Sequence, residues 1–503
     1  MEDRVMMSNL PKKPQDAIWN DEQWQAIYEK GHDLLISAGA GSGKTAVLVE
    51  RMIQKILIDQ INIDELLVLT FTEAAAAEMK QRIRSRIEQE LALHPHDVLL
   101  ATQLNKIASA NISTFHAFCN KLIRKYYYLL QLDPVFKIAD DIEVGILQDD
   151  VIEALFDELA EQDDEAYVQL SESFNSDRDD EALKTMVLKV YELARSNPHM
   201  EQWLKELPDL YQWEGDDLST WGYYQQLNHL MSPVIDEALL DLKKAYAFAQ
   251  DAEVMGVAHK YPTDVYPQDL EYLNRLKEGA QATYAELREA FKGTKLATFP
   301  RFNAKQYDKE AHEQSKKARD AFKKRIGKLE EKYFVYTNET HHQHFKASQA
   351  LVIALSKLVF LFHERFMKAK HERQMLDFSD LEWNTLQLLT DRGKPTEVAK
   401  EVYRQFKEIM IDEYQDVNRV QEAIIQLLKS GGEDDGNLFM VGDVKQSIYR
   451  FRQAAPDLFI DKSERFNEPD SGTLIQLNRN FRSRSEILDA TNLIFENIMD
   501  KEL

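Results

Sequence analysis

The chain has 503 residues, of which 44% are hydrophobic and 29% charged, with only 17 Gly and 13 Pro. This composition excludes collagen-like, low-complexity and wholly disordered classes, and the length allows roughly three or four domains. The single cysteine, Cys119, excludes a disulfide framework and favours a cytoplasmic location, while the net charge of -24 argues against an indiscriminate nucleic-acid coat protein.

Strand-like apolar runs alternate with helical patterns in two stretches, residues 20–138 and the residues after 405, which is typical of parallel βα units. Residues 140–370 instead show long helical patterns rich in Glu, Lys, Leu and Ala. We therefore predict an α/β fold, a P-loop NTPase (RecA-like) domain with a parallel sheet that a large, mostly helical insertion interrupts. The predicted domains are a first part of the ATPase lobe at 1–138, the insertion at 139–370, a second part of the lobe at 371–470, and the start of a second lobe at 471–503.

A glycine-rich turn lies between a strand-like run and a helical pattern near the start of the chain. Its sequence, AGAGSGKT, matches the P-loop pattern except that Ala38 replaces the first glycine. The glycines would let the backbone curl so that successive N–H groups face a phosphate. Lys44 would neutralise the β and γ phosphates of ATP, and the Thr45 hydroxyl would bind Mg²⁺. The predicted nucleotide-binding residues of this turn are Ala38, Gly39, Ala40, Gly41, Ser42, Gly43, Lys44 and Thr45.

Two acidic residues follow a later strand-like run, in IMIDEYQD at 409–416. Asp412 and Glu413 would lie at the carboxyl end of a buried strand, where open parallel sheets bind ligands. Asp412 would hold Mg²⁺ through water, and Glu413 would orient and deprotonate the attacking water. An acidic turn without a ligand is the alternative, which the nearby P-loop pattern disfavours.

Seven segments, in order, resemble motifs of the UvrD-like branch of superfamily 1 DNA helicases. They are WNDEQWQAI at 19–27, LTFTEAAAAEM at 69–79, ISTFHAFC at 112–119, LDFSDL at 376–381, IDEYQDVN at 411–418, VGDVKQSIYRFRQA at 441–454 and LNRNFRS at 477–483. Within that branch the combination is most similar to the AddA family of helicase and nuclease subunits, with RecB-like subunits as functional relatives. The resemblance is dense over residues 18–130 and 375–490 and says little about the insertion.

The resemblance implies a motor whose two lobes close on ATP, and it assigns further roles. Gln23 would read adenine and Phe481 would stack on it. Base recognition would rest on these two alone, because Ala46 stands where these motors often place an arginine. Gln446 would couple the γ-phosphate to the DNA groove, and Arg482 would reach the γ-phosphate from the side of the second lobe. The implied catalytic set is Lys44, Asp412, Glu413, Gln446 and Arg482, with Thr45 and Asp412 on Mg²⁺.

The same motifs imply a surface for single-stranded DNA, where rings stack on bases and polar groups follow phosphates. Its predicted residues are Thr70, Phe71, Thr72, Thr114, His116, Tyr449, Phe451 and Arg452. Phe71 could instead belong to the core, because alternate side chains of a strand point inward. We expect His116 to hydrogen-bond a phosphate or the backbone rather than to hold a metal.

Charge is unevenly distributed, because residues 292–332 hold 13 Lys and Arg against 6 Asp and Glu, whereas residues 140–181 hold 17 acidic residues and one basic residue. The basic segment could be a solvated helix face or a contact with duplex DNA, which neutralising Lys323, Lys324 and Arg325 would test.

The family implies a 3′–5′ DNA helicase and exonuclease that processes DNA ends in double-strand break repair and homologous recombination, with an AddB-type partner subunit. Since the chain stops at Leu503, shortly after the LNRNFRS motif, we expect an N-terminal portion without the nuclease domain. The alternatives are a non-catalytic ATP- or DNA-binding module, another UvrD- or RecB-like helicase, and an RNA helicase. We predict no membrane contact, because Lys357 interrupts the longest apolar run, residues 350–362.

Overall fold

The computed structural model divides into two compact units, unit 1 over Met1–Trp203 and Leu358–Leu503, and unit 2 over Leu204–Lys357. The residues it describes are 10–175, 181–254, 265–278, 283–293, 296, 298, 309–429, 436–468 and 471–498.

The described strands are short and are separated mainly by helices. In chain order they are β1 (Leu34–Ala38), β2 (Leu66–Thr70), β3 (Asn111–Thr114), β4 (Lys137–Ile138), β5 (Met375–Leu376), β6 (Thr390–Asp391), β7 (Lys394–Pro395), β8 (Glu408–Ile411), β9 (Leu438–Gly442) and β10 (Thr473–Leu477). The helices are α1 (Asp21–Tyr28), α2 (Lys44–Leu57), α3 (Glu73–Leu93), α4 (Val98–Lys106), α5 (Phe115–Tyr126), α6 (Asp141–Glu161), α7 (Glu165–Phe174), α8 (Glu181–Arg195), α9 (Met200–Glu206), α10 (Tyr224–Val254), α11 (Val265–Glu278), α12 (Tyr284–Gly293), α13 (Lys309–Tyr333), α14 (Asn338–Glu372), α15 (Phe378–Leu389), α16 (Glu397–Gln405), α17 (Arg419–Leu428), α18 (Pro456–Arg465) and α19 (Ser485–Ile498).

Unit 1 is built on a six-stranded parallel sheet in the order β10-β1-β9-β8-β2-β3. Successive strand residues enter two different hydrophobic cores: Leu35 of β1 joins one, and Leu34 and Ile36 join the other. Because both faces of the sheet are covered, its four inner strands β1, β9, β8 and β2 are mostly continuous buried runs rather than alternating ones. The predicted α/β fold with a parallel sheet is confirmed.

Strand β10 lies in this sheet, although we predicted that residues 471–503 begin a second lobe. It pairs in parallel register with β1, from Leu34 opposite Thr473 to Ala38 opposite Leu477. Ile475 and Leu477 are buried in the same core as Leu34, and this burial fixes the strand at the edge of the first sheet. The predicted boundaries at 138 and 370 stay predictions.

Unit 2 is a helical body with its own core. The side chain of Arg319 on α13 is 1% exposed and forms a buried ion pair with Asp269 on α11, with 3.0 Å between Nη2 and Oδ1. A buried charge is tolerated because it has a partner in good geometry. The helical content of residues 204–357 agrees with the predicted character of the insertion.

The basic helix α13 turns one face into the core of unit 2, where Phe322 and Ile326 are buried, and exposes Lys324. Arg325 forms ion pairs with Glu237 and Asp241 of α10, so its charge is already balanced by acidic residues of unit 2. Residues 294, 295, 297 and 299–308 of the basic segment lie outside the described residues. A contact with duplex DNA stays a prediction that now depends mainly on the exposed lysines.

Among the described helices, α14 is long and apolar enough to cross a membrane by length and composition alone. A core helix of a water-soluble protein passes the same test, and 33% of the most apolar window of α14 is buried. Phe362 and Phe366 are fully buried in unit 1, and Lys370 forms ion pairs with Asp377 and Asp380. These contacts are typical of a helix packed in a protein core.

Candidate functional site

The six strands of the sheet bring the predicted site residues to one edge. Because all six are parallel, their carboxyl ends lie together, and each is followed directly by a predicted segment. Strand β1 precedes the P-loop, β2 precedes Phe71 and Thr72, β3 precedes His116, β8 precedes Asp412 and Glu413, β9 precedes Gln446, and β10 precedes Phe481 and Arg482.

The P-loop has the backbone that its sequence predicts. Gly41 and Gly43 have φ values of 74° and 88°, in the left-handed region that favours glycine, and α2 begins at Lys44. The Ser42 hydroxyl is buried without a hydrogen-bond partner among the described residues. The loop thus combines a helix N-terminus with an unused buried hydroxyl, an arrangement suited to phosphate oxygens.

Gln23 supports the P-loop through a hydrogen bond from α1. Its amide nitrogen donates to the Ser42 carbonyl at 3.0 Å, and its amide oxygen accepts from the Asn20 N–H in the capping box of α1. The side chain is buried, with both ends of the amide partnered within the protein. Adenine recognition by Gln23 stays a prediction, and it would require an exchange of these hydrogen bonds.

Lys44 and Glu413 form the central ion pair of the site, with 2.9 Å between Nζ and Oε2. The Glu413 backbone has a φ of 52°, a left-handed conformation that is uncommon for a residue with a side chain. Such a strained conformation persists where surrounding contacts hold it, and here the Gln415 amide donates to Glu413 Oε2 at 2.8 Å. The strand end and this turn aim the carboxylate at the P-loop lysine.

Two further carboxyl groups next to Glu413 have unusual acidity. Burial and the Glu413 charge raise the pKa of Asp412 to about 6, and the same two causes raise the pKa of Asp416 to about 6. Asp416 Oδ1 is buried without a hydrogen-bond partner among the described residues. Negative charge is therefore crowded here, balanced by the Lys44 cation and by hydrogen bonds from the Gln415 amide, and a divalent cation would relieve it further.

Gln415 is a site residue that we did not predict. Its amide nitrogen donates to Glu413, and its amide oxygen accepts the Asp443 N–H at 2.9 Å. Asp443 Oδ2 in turn accepts from Gln446 at 2.7 Å. A hydrogen-bonded chain thus joins the carboxyl ends of β8 and β9. The sequence could have indicated this role, because Gln415 lies between Glu413 and Asp416 in DEYQD, where a buried amide can bridge neighbouring strands.

The segment after β10 lies on the P-loop itself. The Phe481 N–H donates to the Gly41 carbonyl at 2.8 Å, and Asn480 Nδ2 donates to the Ala40 carbonyl at 2.8 Å. A Cβ on Gly41 would stand 2.9 Å from the Arg482 Cβ, so only glycine fits this approach. Our expectation that Arg482 approaches from a second lobe is corrected, because β10 belongs to the first sheet and brings Arg482 to the loop within unit 1.

Aromatic rings from the segments that follow β2 and β9 form a cluster at the same sheet edge as the P-loop. Phe71 and Tyr449 lie with ring centroids 4.3 Å apart, Tyr449 and Phe451 lie 5.8 Å apart, and Arg452 lies over all three rings. Phe451 is 75% exposed, and Phe71 is only half-buried and belongs to neither core of the sheet. The core interpretation of Phe71 is therefore wrong. We name Phe71, Tyr449, Phe451 and Arg452 the aromatic cluster.

The predicted polar DNA contacts already have partners. Thr72 and Thr114 cap the N-termini of α3 and α5 by accepting the Ala75 and Ala117 N–H groups. Thr70 is buried, and its hydroxyl donates to the Thr72 carbonyl at 3.0 Å. These threonines thus have local structural roles, which propensity rules for helix N-caps would have indicated.

His116 has a partner that we did not predict. Its Nε2 lies 3.0 Å from Oε1 of Glu382, a residue of α15 whose side chain is 7% exposed. The imidazole itself is 38% exposed, so one part of the ring still faces outward. The expectation of a phosphate or backbone partner for His116 must be widened to include this carboxylate.

Comparison with known proteins identifies the family of the chain. The sequence model described as the UvrD/REP helicase N-terminal domain matches residues 19–467. The chain belongs to the UvrD/REP helicase family. Membership of this family implies ATP binding and confirms the predicted UvrD-like resemblance.

Several relatives within the UvrD/REP helicase family are AddA proteins, which are named as ATP-dependent helicase/nuclease subunits. That of Anoxybacillus flavithermus is 41% identical over 502 residues, which cover 97% of this chain and 41% of that protein. That of Geobacillus kaustophilus is 41% identical (98% and 40% covered), and that of Listeria monocytogenes serotype 4b is 39% identical (98% and 40% covered). The chain thus spans about two fifths of the length of the curated relatives it matches.

Proposed function

We propose that the chain is the N-terminal ATPase motor portion of an ATP-dependent 3′–5′ DNA helicase of the AddA type. The observation that carries the proposal is the ion pair between Lys44 of the P-loop and Glu413 at the end of β8, 2.9 Å apart. It supports the proposal because it joins the residue proposed to bind phosphate, Lys44, to the residue proposed as the general base, Glu413, at the same sheet edge as the aromatic cluster.

In the proposed reaction Lys44 moves its charge from Glu413 to the β and γ phosphates of ATP. Phosphate oxygens and the Glu413 carboxylate compete for the same ammonium group, so nucleotide binding frees Glu413 to take a proton from water. Gln415 keeps the freed carboxylate in place, because its amide hydrogen bond to Oε2 does not depend on Lys44. Arg482, beside Gly41, would add a permanent positive charge near the γ-phosphate.

We infer that Thr45 and Asp412 hold Mg²⁺ with the nucleotide. A hydroxyl and a carboxylate are hard oxygen ligands of the kind that Mg²⁺ prefers. Burial and the neighbouring Glu413 charge raise the pKa of Asp412, and a bound cation would favour its charged form. When bound, Mg²⁺ supplies positive charge to the phosphate oxygens.

Mg²⁺ affinity in the presence of ADP should fall as the pH is lowered through about 6. Asp412, with its pKa raised from 3.8 to about 6, is a carboxylate above that pH and a neutral acid below it. Below pH 6 the metal must displace a proton, so affinity should fall by up to about tenfold per pH unit. Titration calorimetry between pH 5 and 7.5 measures this.

The phosphates of ADP also titrate in this range. The test therefore compares the pH dependence of Mg²⁺ affinity in the unsubstituted chain with that in Asp412→Asn. That variant should bind Mg²⁺ more weakly at pH 7.5 and lose the additional fall at low pH. An identical pH profile for both proteins would contradict the assignment of Asp412.

The aromatic cluster is proposed to stack on the bases of single-stranded DNA. Replacing Phe451 by alanine should weaken binding of a labelled oligonucleotide about tenfold, since stacking on one base contributes about 1–3 kcal/mol. Fluorescence anisotropy measures the affinity. Tyr128→Ala is the matched control, because Tyr128 is an aromatic residue with 61% exposure outside the cluster. Equal losses in the two variants would rule out a specific role for Phe451.

The proposed function is tested by ATP hydrolysis with nucleic acid added. Single-stranded DNA should stimulate phosphate release by the chain more strongly than RNA of the same sequence and length. Stimulation by RNA alone would favour the alternative RNA helicase, and ATP binding without hydrolysis under any condition would favour a non-catalytic module.

The wider function comes from the relatives, whose name describes one subunit of a helicase/nuclease. By that likeness we infer a role in processing DNA ends for double-strand break repair and homologous recombination, in the cytoplasm and with an AddB-type partner subunit. Duplex DNA ends are the proposed substrate of that assembly.

A further inference from the structure

Glu382 connects two segments that the proposed function assigns to different ligands. Its carboxylate lies 3.0 Å from Nε2 of His116, a residue in the first turn of α5 and a member of the predicted DNA surface. The Glu382 side chain is 7% exposed, so this contact lies mostly away from water. A buried carboxylate needs donors on its remaining lone pairs, and the structure supplies two more.

The other two donors come from the N-terminus of α17, the helix that follows Asp412 and Glu413 in the chain. Asn418 Nδ2 donates to Glu382 Oε2 at 2.9 Å, and Gln421 Nε2 donates to Oε1 at 2.7 Å. Asn418 and Gln421 are the reciprocal capping box of α17. Asn418 follows Glu413 by five residues, through a single turn of 3₁₀ helix at Tyr414–Asp416. The carboxylate therefore binds both amides that define where α17 begins.

Glu382 is held in place by a buried charge cluster around Asp380, which lies two residues earlier on α15. Asp380 is fully buried and accepts from Lys370 Nζ at 2.6 Å and from Arg195 Nη2 at 2.8 Å. Trp383 Nε1 also donates to the Arg195 carbonyl at 2.7 Å. Moving α15 would leave these charges uncompensated, which is costly in a protein interior. Glu382 is thus on an anchored helix and contacts both His116 and the start of α17.

We propose that Glu382 is a positioning residue that couples DNA binding at His116 to the state of the nucleotide site at Glu413. A phosphate that attracts His116 competes with Glu382 for the imidazole, and the carboxylate then redistributes its hydrogen bonds toward the capping box of α17. That box sets the start of α17 and so the end of the turn that carries Glu413. The inference rests on the proposed function, and the coupling must be reciprocal by thermodynamic linkage.

Glu382→Gln tests the coupling by removing the charge while keeping the shape. The measurement is the dissociation constant of a fluorescent ATP analogue with and without saturating oligothymidylate, and the converse titration. In the unsubstituted chain DNA should change nucleotide affinity by about fivefold or more. In Glu382→Gln the ratio of the nucleotide dissociation constants without and with DNA should fall close to one. The affinity for each ligand alone should stay within about threefold of that of the unsubstituted chain.

Asn418→Ser tests the same relay from the other side, because serine still caps α17 but lacks the amide that donates to Glu382. Asn418→Ser should lose the coupling in the same way. If thermal unfolding shows that Glu382→Gln does not fold, the result with Asn418→Ser tests the proposal instead. Glu401→Gln is the matched control: Glu401 pairs with Lys125 of α5 at 2.9 Å, but both side chains are more than half exposed. It should leave the coupling unchanged.

Unchanged coupling in a folded Glu382→Gln or Asn418→Ser protein would overturn the inference. So would equal losses of both separate affinities with the ratio intact, since that pattern marks a purely structural role. Binding of both ligands by the unsubstituted chain without mutual effect would overturn the inference alone. Failure to bind either ATP or DNA would instead overturn the proposed function, and the inference with it.

Discussion

Replacing Lys44 with alanine should abolish measurable ATP hydrolysis and weaken ATP binding. The lysine ammonium is the cation that we propose binds the phosphates, and its side chain is only 13% exposed, so its charge is poorly screened by water. Loss of one such preorganised donor typically lowers the rate by about 10²–10³-fold. Steady-state phosphate release and equilibrium binding of a fluorescent ATP analogue measure the two effects.

The substitution also leaves Glu413 without its ion-pair partner beside Asp412 and Asp416, whose pKa values are already raised to about 6. Crowded carboxylates repel phosphates, which reinforces the loss of ATP affinity. Lys30→Ala is the matched control, because Lys30 forms a surface ion pair with Asp59 and precedes the amino end of β1. It should retain hydrolysis, and an unimpaired Lys44→Ala protein would show that the ATP site lies elsewhere.

Glu413→Gln should separate binding from chemistry. Glutamine keeps the size of the side chain but cannot accept a proton from the attacking water, and loss of a general base lowers the rate by about 10²–10⁴-fold. ATP should bind at least as tightly, because Lys44 no longer has a competing carboxylate 2.9 Å away. Single-turnover hydrolysis and nucleotide affinity, measured on the same preparation, give the comparison.

The matched control for this neutralisation is Glu397→Gln, at an exposed carboxylate in the first turn of α16. Its turnover should equal that of the unsubstituted chain. A Glu413→Gln protein that hydrolyses ATP at the normal rate would exclude Glu413 as the base and leave Asp416 as the next candidate. Parallel losses of binding and turnover would mean that Glu413 acts mainly by supporting the loop.

Local patterns in the sequence were enough to predict the architecture of unit 1. Apolar runs followed by turns and helical patterns predict parallel strands, and residues at their carboxyl ends must then share one edge. That argument placed Lys44 near Glu413 although 369 residues separate them. The glycines likewise predicted a tightly curled P-loop, and the structure shows Gly41 and Gly43 with the left-handed φ values that glycine adopts without steric cost.

Strand order and side-chain partners were beyond such patterns. Nothing local to β10 shows that it pairs with β1, so Arg482 was expected from the side of a second lobe rather than beside the P-loop. Burial of Ile475 and Leu477 in the core beside β1 decided the matter. Which strand β10 pairs with depends on packing over the whole domain, and a short stretch of sequence carries no information on that packing.

The sequence by itself determined the fold class and the family of this protein, and its residue types and spacing predict a phosphate loop, a general base and stacking aromatics. The tertiary structure decided which of these groups act together. It assigned Gln415 to Glu413, gave His116 the buried partner Glu382, and used Thr72 and Thr114 as helix caps. The physical reason is that a motif fixes backbone geometry over a few residues, whereas buried polar groups are satisfied only by partners that folding brings from distant segments.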